Sequence, residues 1–158
     1  MADFAIVRNC VLPRDLYYKI EDHIWARKEP DGLVTLGYTD VAQTTAGGML
    51  MVSYRPVGKF YARNKIVALV ESGKWLGPLR TPVAGTLVEV NEALRTDAGL
   101  INRSPYGQGW VVRIDPEDAD RDLAHLLTGD EAIAAYERFM EERKLDDCVH
   151  CEGYELPP

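Results

Sequence analysis

The feature that most constrains this chain is the way Gly and Pro punctuate short runs of β-forming residues between positions 17 and 114. Such spacing predicts short strands joined by tight turns, an all-β pattern. Residues 17–20 and 23–27 read as a strand region, Glu29-Pro30-Asp31-Gly32 as a tight turn and residues 33–38 as the returning strand. Thr39 and Asp40 cap a short helical turn through Val41-Ala42-Gln43 that ends at Gly47-Gly48, and residues 49–54 form a further strand. Residues 65–71 are nearly all apolar, which predicts a strand buried on both faces. They pair with residues 86–90 in a hairpin whose turn, residues 72–78, is pushed into solvent. Residues 109–114 are the last strand of this pattern. The period then changes: Leu123, Leu126 and Leu127 suit one helix, and Ile133, Tyr136 and Met140 another beginning near Thr128. The expectation is one domain, a small twisted β sandwich with carboxy-terminal helices over residues 1–146, followed by a flexible tail, 147–158, without periodicity.

Charge narrows the function classes. A net charge of −7 excludes a general nucleic-acid binder, which needs a basic surface. The charge is polarised, with six bases against the single acid Glu71 between Tyr54 and Arg80, and twelve acids against four bases between Asp115 and Asp147. The polarity reads either as two solvated faces or as a basic mid-chain region that steers encounter with an acidic partner. No apolar run is long enough to span a bilayer and the amino terminus has no signal-peptide pattern, so a cytoplasmic protein is expected.

The three cysteines, Cys10, Cys148 and Cys151, do not suggest a disulfide scaffold. Cys148 and Cys151 form a C-x-x-C behind Asp146-Asp147, readable as a pair of redox thiols or as idle tail thiols. With one His between them they supply too few ligands for zinc, and no metal is expected.

A lysine at a hairpin tip is by itself a weak signal, but Lys74 stands in a specific frame. Glu71 lies three residues before it, Gly85 eleven after it, and Thr81-Pro82-Val83-Ala84-Gly85-Thr86-Leu87-Val88-Glu89-Val90-Asn91 follows. His23-Ile24-Trp25, Gly37-Tyr38-Thr39-Asp40-Val41-Ala42-Gln43, Asn91-Glu92-Ala93-Leu94 and Ser104-Pro105-Tyr106-Gly107-Gln108-Gly109-Trp110 supply further blocks. In this order and spacing, over roughly residues 17–128, the chain resembles the glycine cleavage system H protein family. The resemblance implies a lipoyl-domain-like barrel-sandwich hybrid and a carrier, not an enzyme. It places covalent lipoate on Lys74 and makes Glu71 and Gly85 the positions that lipoate ligase or lipoyl-assembly enzymes recognise. The cofactor would do the chemistry, while the protein presents the arm to partners.

Two departures bear on which carrier this is. Gly73 and Trp75 flank the lysine where the family has Val and Ala, and Trp75 is expected to contact a partner. The family's acidic segment before the hairpin is replaced by Tyr54-Arg55-Pro56-Val57-Gly58-Lys59, so Arg55 and Lys59 reverse the charge of the docking surface. These features resemble the lipoate-binding H-like proteins of sulfur oxidation, which work with a cytoplasmic heterodisulfide-reductase-like complex. That reading is placed first. The alternatives are an aminomethyl carrier working with glycine decarboxylase and dihydrolipoamide dehydrogenase, a non-lipoylated H-like interaction module, and a thiol oxidoreductase centred on Cys148 and Cys151.

Overall fold

A computed structural model describes residues 3–158. An amino-terminal hairpin, β1 (Phe4–Val7) and β2 (Cys10–Pro13), turns through Arg8 and Asn9, both at positive φ, and was not expected from the sequence. There follow β3 (Tyr17–Lys19), β4 (Ile24–Lys28), β5 (Val34–Tyr38), α1 (Asp40–Ala46), β6 (Met49–Tyr54), β7 (Phe60–Tyr61), β8 (Ile66–Ser72), β9 (Leu76–Arg80) and β10 (Gly85–Val90). The chain continues through α2 (Leu100–Arg103), β11 (Val112–Pro116), α3 (Ala119–Leu123), β12 (Leu127–Thr128) and α4 (Gly129–Glu142). A seven-stranded sheet in the order β12-β3-β4-β5-β11-β10-β7 faces a three-stranded sheet, β6-β8-β9, with Leu36, Val67, Leu79 and Leu87 buried in the shared core. The fold is therefore mainly β, as expected. Apolar periodicity decides which faces turn inward, and the turns decide the register.

Three local expectations are corrected. The partner of β8 in the hairpin is β9, Glu71 opposite Leu76 and Ile66 opposite Arg80, whereas residues 86–90 belong to β10 in the other sheet. A strand can begin as soon as the chain reverses, and Leu76 to Leu79 satisfies β8 before the chain reaches Thr86. β8 is also not buried on both faces: Val67, Ala68 and Val70 are buried, Ile66 and Leu69 only partly, and Glu71 is exposed. Finally, Leu123 closes a five-residue helix and Leu127 lies in β12 beside Tyr18, so Leu123, Leu126 and Leu127 do not share one helix.

α4 carries a second core cluster, in which Tyr136 and Met140 are buried with Tyr18 and Leu12. The Tyr136 hydroxyl sits 2.6 Å from His23 Nδ1 and 2.8 Å from Thr39 Oγ, joining α4 to the start of α1. Burial lowers the His23 imidazole from 6.5 to about 4. Between those values the unfolded chain binds a proton that the folded chain refuses. Stability is therefore complete above about pH 6.5, falls as pH drops toward 4, and levels off below. The loss should approach about 3 kcal/mol. Chemical denaturation of wild type and His23→Gln at pH 7 and pH 4.5 checks this: the variant should lose markedly less stability on acidification, and an equal loss in both would refute the assignment.

The tail is not free. Cys148 is joined to Cys10 by a disulfide across 138 residues of sequence, and both are buried. The Cys148 amide donates to the Arg8 carbonyl at 3.0 Å, and Asn9 Nδ2 donates to the Cys148 carbonyl at 2.7 Å. Further on, the Glu155 amide donates to the Arg103 carbonyl. The expected pair of thiols is thus corrected: Cys148 bonds to the distant Cys10, and Cys151 is the free, exposed cysteine. A cross-link closing so long a loop constrains the unfolded chain by about 5 kcal/mol in the chain-entropy picture. Reduction, or Cys10→Ser, should lower the thermal midpoint by about 10 °C. Differential scanning fluorimetry with and without a phosphine reductant measures it; two alkylatable thiols beyond Cys151 before reduction would contradict the bond.

Candidate functional site

The β8–β9 hairpin, flanked by β6 along β8, carries Lys74 at its tip, residues 73–75. Ser72 organises the turn: its amide donates to the Trp75 carbonyl at 2.8 Å, and its hydroxyl accepts from the Lys74 amide at 3.4 Å. Lys74 is exposed, and among the described residues its amine has no carboxylate within salt-bridge distance. A primary amine held in solvent on a three-stranded support is open to an acylating enzyme.

Trp75 does not point away to await a partner. Its ring lies across Gly77, where any side chain would collide with it, and meets Tyr38 edge-on at 5.8 Å and 81°. The Tyr38 hydroxyl, buried and raised well above its usual range by desolvation, donates to the Gly77 carbonyl at 2.9 Å. Trp75 thus clamps the hairpin onto the end of β5, and Gly77 is the residue that allows it. Only part of its face is left for contact with another molecule.

Beneath the tip the Lys74 stem passes over Gly47, its Cε 3.5 Å from where a Cβ of that residue would lie. Gly47, at φ 75°, ends α1 and opens a groove of about 510 Å³. One wall is Met49 and Asn102. The Asn102 side chain accepts from the Met49 amide at 2.9 Å and donates to the Gly47 carbonyl at 2.8 Å. The opposite wall is the tail, Val149 to Glu152, including the Cys151 thiol. This wall is fixed through Asp40, which is fully buried: its carboxylate accepts from the Val11 amide at 2.8 Å, from Gln43 Nε2 at 2.7 Å and from His150 Nε2 at 2.6 Å. The His150 ring stacks on Tyr154 at 3.9 Å. This wall was not legible in the sequence, because no spacing rule links His150 to Asp40.

The remaining expected site residues are dispersed. Glu71 is exposed in β8 opposite Leu76, one pair below the tip. Gly85 lies buried in β10, in the other sheet, paired with Pro116 and Tyr61. A Cβ there would press on the Asp115 carbonyl oxygen and on Ile114, so close approach of β11 already requires glycine at this position. Arg55 and Lys59 stand at the opposite end of the hairpin from Trp75, since Tyr54 pairs with Ala68 and the Arg55 amide donates to the Val67 carbonyl. Thus Trp75, Arg55 and Lys59 do not form one contiguous docking patch around the lysine.

The fold thus presents an exposed lysine on a hairpin tip above a groove. A profile of the glycine cleavage H-protein family matches residues 16–142, and the chain belongs to that family. It is 42% identical over 139 residues to glycine cleavage system H protein 2 of Aquifex aeolicus, covering 88% of this chain and 86% of that one. It is 36% identical over 143 residues to the probable glycine cleavage system H protein 2 of Sulfurisphaera tokodaii, covering 89% and 96%. A crystal structure of a glycine cleavage system H protein from Mycobacterium marinum superposes with a TM-score of 0.70 at 32% identity, covering 78% of this chain and 98% of that one. Proteins of this family are lipoyl carriers, not catalysts. Among the described residues no helix is long and apolar enough to cross a membrane.

The packing of Gly85 separates two roles for it. Gly85→Ala should cost about 1–3 kcal/mol of stability through the clash with β11. At a temperature where the variant is folded, a lipoate ligase should still modify Lys74 at the wild-type rate. A loss of modification without a loss of stability would return Gly85 to the role of a recognition residue.

Proposed function

We propose that Lys74 is the lipoylation site and that the chain presents a lipoyl-lysine arm to partner enzymes. The observation that carries this reading is the solvent-held Lys74 amine at the tip of a hairpin built on two packed sheets. When attached, lipoate supplies a dithiolane whose disulfide accepts a transferred group with two electrons and passes both on. The protein's own residues do the rest. Ser72 and Trp75 hold the tip in one shape, Glu71 offers the modifying enzyme a carboxylate on the same strand, and Gly47-Gly48 keep the stem clear of side chains. The groove behind Gly47 is wide enough to shelter an arm between encounters.

Among partners, the H protein of glycine cleavage is the better supported reading. The relatives carry that name, and it makes the chain an aminomethyl carrier between glycine decarboxylase and its companion enzymes, with dihydrolipoamide dehydrogenase reoxidising the arm. A second reading, transfer of sulfur intermediates to a cytoplasmic heterodisulfide-reductase-like complex, draws on the basic Arg55 and Lys59 where an acidic docking segment is expected. It also draws on the three relatives numbered 2, 3 and 5 in one organism, which show the family multiplied within a genome.

Co-expression with a lipoate ligase should add one lipoyl group to the intact mass, located on Lys74 by peptide mapping and absent from Lys74→Arg. Unmodified protein with every ligase and lipoyl-assembly enzyme tried would overturn the carrier reading. With the modified protein, exchange of labelled bicarbonate into glycine by a glycine decarboxylase separates the partners: exchange supports glycine cleavage, and its absence favours the sulfur reading.

A further inference from the structure

Most cations elsewhere on this chain are neutralised locally; among the described residues Arg138, Arg143 and Lys144, toward the end of α4, are the exceptions. Arg8, Arg14, Arg27, Arg95 and Arg113 each hold a carboxylate within 3.2 Å. The basic region between Tyr54 and Arg80 behaves differently. Among the described residues none of Arg55, Lys59, Lys65 and Arg80 makes an ion pair, although the chain has 25 acidic residues to draw on. A cluster of cations without contacting carboxylates keeps a local positive field even in an acidic protein.

The cluster has a shape. Arg55, Lys65 and Arg80 border an open groove of about 670 Å³ at the base of the β8–β9 hairpin, floored by Phe60, Tyr61 and Ile66, and no carboxylate lines it. Phe60 is 55% exposed although it lies in a paired strand, β7, against β10. Apolar surface left open at the centre of a ring of cations is the arrangement of a binding-site core with a charged rim. The groove lies at the far end of the strand that carries the arm. From Ile66 to Glu71 is five residues of β8, about 17 Å.

We propose that this groove docks an acidic segment of a partner protein, one that places an apolar side chain on Phe60 and carboxylates on Arg55, Lys65 and Arg80. Charge complementarity selects the occupant: a chain of net charge −7 repels extended polyanions over most of its surface, and a short acidic segment is attracted to the three cations that border this groove. The proposal deepens the carrier reading, on which it rests for the partner's identity, by separating docking from delivery. The partner is held at the base of the hairpin, and the tip with Lys74 remains free to reach its active site.

The test uses the full-length protein and a fluorescein-labelled acidic peptide of glutamates around one central phenylalanine, followed by anisotropy. Binding at low salt should weaken about tenfold in the double variant Arg55→Glu, Lys65→Glu, and should fall steeply as salt rises. Phe60→Ser, or glycine in place of the peptide's phenylalanine, should weaken binding severalfold. Thermal midpoints within a few degrees of wild type confirm that the variants are folded, and Lys74→Arg should bind as wild type does. The proposal is overturned if the peptide fails to bind, if binding is indifferent to these variants, or if heparin or single-stranded RNA binds the groove in preference to the peptide. Failure of the carrier reading looks different: an unmodified Lys74 alongside a peptide that still docks.

Discussion

The carboxylate of Asp40 is the interaction on which the site depends. A buried carboxylate is tolerated only when its oxygens are well supplied with donors. Here the donors come from places far apart in the chain: Val11 in β2, Gln43 one turn on in α1, and His150 in the tail. The Asp40 amide in turn donates to the Tyr106 hydroxyl, which itself donates to the Val11 carbonyl at 2.6 Å. The charge therefore fixes the start of α1, the amino-terminal hairpin, the loop around Tyr106 and the tail relative to one another. Because α1 ends at Gly47, beside the far end of the Lys74 stem, the same network sets the floor of the groove below the arm.

What the sequence made legible, and what it left hidden, divides along the range of the interactions. The strands around Tyr18, Trp25 and Leu36, the Thr39 cap and the helix carrying Tyr136 and Met140 were readable because pattern and capping are local. The frame around Lys74 was readable as a resemblance. The β8–β9 pairing was missed because Leu76-Gly77-Pro78-Leu79 looks like a turn until Trp75 is seen covering Gly77. Gly85 was read as a recognition position, and nothing in the sequence shows that β11 also passes directly against it. The cross-link between Cys10 and Cys148 and the contact between Asp40 and His150 join segments more than 100 residues apart, and only the tertiary fold brings them together.

The hairpin divides labour along its length. Its tip is held by neutral contacts, the indole of Trp75 on Gly77 and Tyr38, and carries a single cation. Its base gathers Arg55, Lys65 and Arg80, none of which holds a carboxylate among the described residues. A strand is a stiff connection, so whatever happens at the base is transmitted to the tip as position and not as a change of shape.

The wall of the groove, from Val149 to Glu152, comes from a stretch of chain remote from α1 and the arm. Its seat is set by the Asp40–His150 contact and, just before it, by the Cys10–Cys148 bond. The room below the lysine is thus governed by contacts in which the arm itself takes no part.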